Sequence, residues 1–183
     1  MPEDLFGLPT HILLLHVVIV LVPIAALATV AVALSSRFRH RWGLAVVACT
    51  FVISLFVPLT TQAGESLAER LPDAPQIDRH GEIGQQLVIW TAAFGLCLAG
   101  LVALDLIRRA SQPTDELTSA ESWGRKFVSP GWRESPPGWA DAAFRVFQVL
   151  ALLAALGVVV MVIRAGHSGA QAVWSNYPDL RPA

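Results

Sequence analysis

The residues that could do chemistry in this chain are its five histidines and a handful of acids near them. His16 stands inside the apolar run LLLHVVIV, where an ionisable side chain needs a reason to be present. His11 lies five residues earlier, after Pro9 and Thr10. His80 and Glu82 fall in DRHGEIG, followed at once by Gln85 and Gln86. Glu65 closes the segment TTQAGE, and His167 sits in RAGHSGA. Imidazole nitrogens are the common protein ligands of haem iron and of borderline metal ions. For haem b, His16 and His80 form the best pair. For a divalent metal the set is His80, His167, Glu65 and Glu82. Gln85, Gln86 and His11 would stand behind these ligands and orient them by hydrogen bonds. Three readings stay open: a hydrogen-bonded polar cap, a haem or metal site, and a proton- or quinone-handling site.

The spacing limits these readings. His11 and His16 point about 140° apart on a helix and cannot bind one ion as a helical pair. The chain holds no HExxH, no CxxC and no Glu-x-x-His pair, so any site is assembled across helices. No Gly-rich phosphate loop and no Ser-His-Asp arrangement is present, and no residue is assigned a catalytic role.

The elements that must position these residues follow from composition. Of 183 residues 54% are hydrophobic and 15% charged, and the mean hydropathy is +0.55. Soluble domains carry about 25% charge, so the chain reads as a membrane protein. A net charge of −1 offers no field for nucleic acid. Four stretches are long enough to cross a bilayer, about 12–35, 43–63, 86–107 and 142–163. The expected fold is all-α, a four-transmembrane-helix bundle forming a single domain over residues 1–183. The acidic start MPEDLFGLPT lacks the positive region of a secretory signal, so the first span is expected to stay uncleaved.

Basic residues give the orientation. Of 13 Lys and Arg, Arg37, Arg39, Arg41, Arg108, Arg109, Arg125, Lys126, Arg133 and Arg145 fall in the loops after spans one and three or at their edge. Those loops are expected in the cytoplasm, with both termini on the outer side. Glu65, Glu82 and every histidine except His40 then gather at the outer end. Trp42, Trp90, Trp139, Trp174 and Tyr177 suit the headgroup level. The loop 110–140 carries two Pro-Gly-Trp units, and Trp123, Trp132 and Trp139 are expected either to anchor it on the membrane or to dock a partner. Gly95, Ala99 and Ala103, with Ala151 and Ala155, form small-residue packing faces. Cys49 and Cys97 are expected to stay unpaired. Asp105 is expected to bridge to Arg108 or Arg109 on its own helix.

Pro9-Thr10-His11 with His16, TTQAGESLAE, RHGEIG and RAGHSGAQAVW together resemble the domain of unknown function 2231 family of bacterial membrane proteins. The resemblance spans nearly the whole chain. It implies a multi-pass, four-helix protein of the bacterial plasma (inner) membrane with unassigned activity. Some relatives are fused to Rieske-type domains, which implies an electron-transfer setting, and His16 and His80 are the positions that match best. Two functions are therefore expected. One is an electron-transfer-associated protein binding haem b or a metal, with a redox partner. The other is a non-catalytic structural or accessory subunit of a membrane complex.

Overall fold

The computed structural model describes residues 4–5, 7–109, 126, 130–134 and 138–174. Two short strands, β1 (Asp4–Leu5) and β2 (Leu8–Pro9), pair antiparallel with Leu5 opposite Leu8. Among the described residues five helices follow: α1 (Thr10–Leu34), α2 (Ser36–Ala68), α3 (Pro75–Arg108), the single turn α4 (Pro130–Glu134) and α5 (Ala140–Trp174). Among the described residues four helices, α1, α2, α3 and α5, are long and apolar enough to cross a membrane. The expected all-α, four-span fold is therefore present. Trp123, Arg125, Tyr177 and most of the loop 110–140 lie outside the described residues.

The helices outrun the apolar stretches that mark them. α2, α3 and α5 hold 33, 34 and 35 residues. At 1.5 Å per residue each is about 50 Å long, against a hydrocarbon layer of about 30 Å. The basic segment between spans one and two is not a loop. α1 ends at Leu34 and α2 begins at Ser36, so Arg37, Arg39 and Arg41 ride on the first turns of α2. Ser35 makes the junction, its hydroxyl accepting the N–H of Phe38 at 3.2 Å as a helix cap. α1 and α2 continue through Pro23 and Pro58. Thr29, Thr60, Thr61 and Thr91 each donate a hydroxyl hydrogen to the carbonyl four residues back, which satisfies these polar groups without leaving the helix.

The chain divides into two compact units. The first combines Met1–Ile24, Phe51–Ala92 and Gly157–Ala183. Its interior is built from Val18, Val22, Val57, Leu87, Val158 and Met161, all buried. The second combines Ala25–Thr50 and Ala93–Leu156. Its core is Val32, Ala33, Leu98, Leu101, Val102, Leu104, Phe144 and Ala151. Large apolar side chains such as Leu27, Ile89, Leu96 and Ile163 are exposed, the surface expected of a protein dissolved in lipid.

The small-residue face of α3 departs from expectation at one end. Gly95 and Ala99 are partly buried, but Ala103 is exposed. A four-residue step overshoots the 3.6-residue turn by about 40°, so eight residues carry the stripe about 80° off its face. Gly100 takes the close contact instead, against the ring of Phe147. Ala151 and Ala155 are buried as expected. Cys49 and Cys97 are free thiols.

Candidate functional site

In the first unit, one residue from each of α1, α2, α3 and α5 builds a two-imidazole site. His11 stands in the first turn of α1, half-buried. Its Nδ1 donates to the backbone carbonyl of Thr60 on α2, at 2.8 Å. A carbonyl only accepts, so the proton is on Nδ1 and the lone pair of the neutral ring is on Nε2. His80, in the second turn of α3, faces Ser168 of α5 with Nδ1 at 2.9 Å from Oγ. The Ser168 hydroxyl spends its one hydrogen on the carbonyl of Ala165, at 3.0 Å. It therefore accepts from His80, and the His80 lone pair is also on Nε2. The two rings meet edge to face, centroids 6.1 Å apart and planes at 84°.

Glycines leave room for both rings. A Cβ on Gly64 of α2 would stand 2.9 Å from both Cε1 and Nδ1 of His11. A Cβ on Gly169 of α5 would stand 3.1 Å from Cε1 of His80. Gly64→Ala is expected to push the His11 ring off the Thr60 carbonyl and cost about 1–3 kcal/mol, the usual range for overpacking. Gly169→Ala is expected to cost less, because 3.1 Å is relieved by a smaller shift. Unfolding of both variants in the same detergent measures the order.

The other sequence-predicted residues are exposed. His16, expected to face His80, is exposed, and its Nδ1 donates to the Ile12 carbonyl of its own helix at 2.6 Å. Glu65 is exposed and accepts from Nε2 of Gln85 at 3.3 Å. Glu82, Gln86 and His167 are exposed. Among the described residues no three His, Cys, Asp or Glu side chains come together as a metal-ligand group. His11, expected only to support a ligand, is the residue placed beside His80.

The second unit holds a charged cluster that the sequence reading missed. Asp105 is buried, and its Oδ1 lies 3.0 Å from Nε of Arg39 on α2. His40 Nε2 lies 3.5 Å from the other carboxylate oxygen. Arg39 also donates to the carbonyls of Val32 at 2.7 Å and Ala33 at 3.3 Å, in the last turn of α1. Its guanidinium lies over the Phe144 ring, 4.9 Å from the centroid. Arg108, one of the two partners expected for Asp105, instead pairs with Asp141 of α5, while Arg109, the other, feels the pull of Asp105. Burial lowers the pKa of Arg109 from the ordinary guanidinium value, against the pull of Asp105 and with a further push from Arg39. The available sequence signal was Asp105 itself, an acid inside an apolar helix with arginines at the start of the preceding one.

Long apolar helices with lipid-suited surfaces and sparse, paired charge define a multi-pass helical membrane protein. The family model described as "Predicted membrane protein (DUF2231)" matches residues 7–177, and the chain belongs to that family. No curated protein and no solved structure matches it.

Proposed function

We propose that this protein binds a first-row transition metal ion through His11 and His80, in an electron-transfer setting on the outer side of the bacterial inner membrane. The observation that carries this reading is the pair of imidazoles on separate helices, each with Nδ1–H held from behind and Nε2 bearing the lone pair. Metal-binding histidines are fixed in the same way, by a hydrogen bond from the nitrogen that does not bind. Two imidazoles leave the remaining positions to water or an incoming ligand, and among divalent ions copper binds such nitrogen donors most tightly. The outward orientation rests on the arginines at the start of α2 and the end of α3, which favour the cytoplasmic side. In this reading His11 takes the place that the sequence expectation gave to His16, and Glu65, Glu82 and His167 are left outside the proposed ligand set.

The test is metal loading of the purified protein in mild detergent. Copper(II) is expected to bind as a single ion with nitrogen couplings in its electron paramagnetic resonance spectrum. His11→Ala and His80→Ala are expected to lose it, and His16→Ala and His167→Ala to keep it. Copper retained in the His11→Ala/His80→Ala double variant would sink the proposal. A reduced-minus-oxidised absorption spectrum separates the metal from haem b, whose bands would vanish in the same two variants.

Trp132 and Trp139 support a second reading, an accessory subunit that docks through the loop between α3 and α5. Both rings are exposed and meet edge to face with centroids 6.1 Å apart. Removing residues 118–138 would then weaken copurification of a membrane complex, while metal binding stayed intact.

A further inference from the structure

The two imidazoles of the first unit stand at a separation that selects among metal geometries. With a metal–nitrogen bond of about 2.0 Å, a ring centroid lies about 3.2 Å from an ion on Nε2. Two rings in line on one ion then have centroids about 6.3 Å apart, a tetrahedral pair about 5.2 Å and a right-angled pair about 4.5 Å. The centroids of His11 and His80 are 6.1 Å apart. A tetrahedral or right-angled pair would need the rings to approach by about 1 Å or more. Such a shift strains the hydrogen bonds that hold them, from His11 to the Thr60 carbonyl at 2.8 Å and from His80 to Ser168 at 2.9 Å.

Charge favours the same outcome. Both donors are neutral imidazoles, and both rings are half-buried. The cost of desolvating an ion rises with the square of its charge, so a monocation pays about a quarter of what a dication does. Carboxylates would offset a second positive charge, but Glu65 is exposed and accepts from Gln85, and Glu82 is exposed.

We infer that the ion held between His11 and His80 is copper(I), bound by two nitrogens nearly in line, an inference that rests on the metal-binding reading of the pair. Copper(I) has a filled d shell and a single charge, and it accepts two donors in line. Copper(II) prefers tetragonal sets and zinc tetrahedral ones. Copper(II) loaded from solution occupies the same nitrogens with water in its other positions, and is held less tightly.

The experiment loads the full chain in mild detergent with one equivalent of copper(I) under anaerobic conditions and records X-ray absorption at the copper edge. Two nitrogen neighbours and the intense near-edge peak of two-coordinate copper(I) are expected. His11→Ala and His80→Ala are expected to lose that signature, and His16→Ala to keep it. Affinity for copper(I), read by competition with the coloured chelator bicinchoninate, is expected to exceed that for copper(II) at least tenfold. The midpoint potential then lies at least ~59 mV above that of the aqueous copper couple. Copper(I) bound through both histidines with three or four neighbours would overturn the inference and leave the metal site standing. Copper(II) bound through both more tightly than copper(I) would do the same. Copper of either state retained in His11→Ala/His80→Ala would overturn both readings.

Discussion

Asp105→Leu is expected to destabilise the protein by about 3–5 kcal/mol, the range for breaking a buried ion pair from one side. Both partners are almost fully buried, Asp105 at 5% exposure and Arg39 at 9%. The leucine variant leaves the guanidinium with the Val32 and Ala33 carbonyls and the Phe144 face, and with no counter-charge at Nε. Arg39→Leu is expected to cost less, because His40 remains 3.5 Å from the carboxylate as a polar neighbour. It does forfeit the hydrogen bonds that close the last turn of α1, where the Gln148 amide also donates to Ala33 at 2.7 Å. Removing both charges together takes away the desolvation cost as well as the attraction. Arg39→Leu/Asp105→Leu is therefore expected to be more stable than Asp105→Leu alone, with a coupling of about 0.5–3 kcal/mol. Equilibrium unfolding of the four proteins in one detergent closes the cycle. A double variant less stable than Asp105→Leu by the full cost of Arg39→Leu would show that the pair is not coupled.

How far the sequence could reach is clearest at α1. Hydropathy alone locates the helix, because almost every residue in it is apolar. That same uniformity hides its rotation, since a helix apolar on all sides shows no preferred face. In the structure Val18 and Val22 are buried. His11 lies seven residues before Val18, two turns back on nearly the same face. His16 lies two residues before it, about 200° away, and comes out exposed. Depth in the apolar run favoured His16, and rotation, unreadable there, decided for His11. α3 was more legible because it is mixed. Gly84 and Thr91 mark the same face as His80, and all three are buried or half-buried. The Arg39–Asp105 pair was hidden for a different reason. Neighbours three and four residues apart are the default partners on one helix, whereas Asp105 is met by α2 and Arg108 by Asp141. The span ends were underestimated because hydropathy registers only the part of a helix suited to lipid. Ser36–Arg41 and much of Pro75–Gln85 are helical but polar.

Ser168→Ala is expected to weaken copper binding about 10–100-fold, the usual effect of removing the group that orients a metal-binding histidine. Ser168 is buried and would touch no metal held by Nε2 of His80. Its role is to accept the Nδ1 hydrogen while giving its own to Ala165. Without it the ring is free to turn and to place its proton on either nitrogen, and only one tautomer presents Nε2 as a donor pair. Ser168→Thr keeps the hydroxyl and is expected to restore most of the affinity, which a loss caused by packing alone would not do. The copper resonance makes the distinction sharper. A positioning role predicts that Ser168→Ala, at saturating copper, keeps couplings from two nitrogens, whereas His80→Ala keeps at most one. Wild-type affinity in Ser168→Ala would mean that the Ser168 contact does not set the ring, and the tautomer argument for His80 would fall with it.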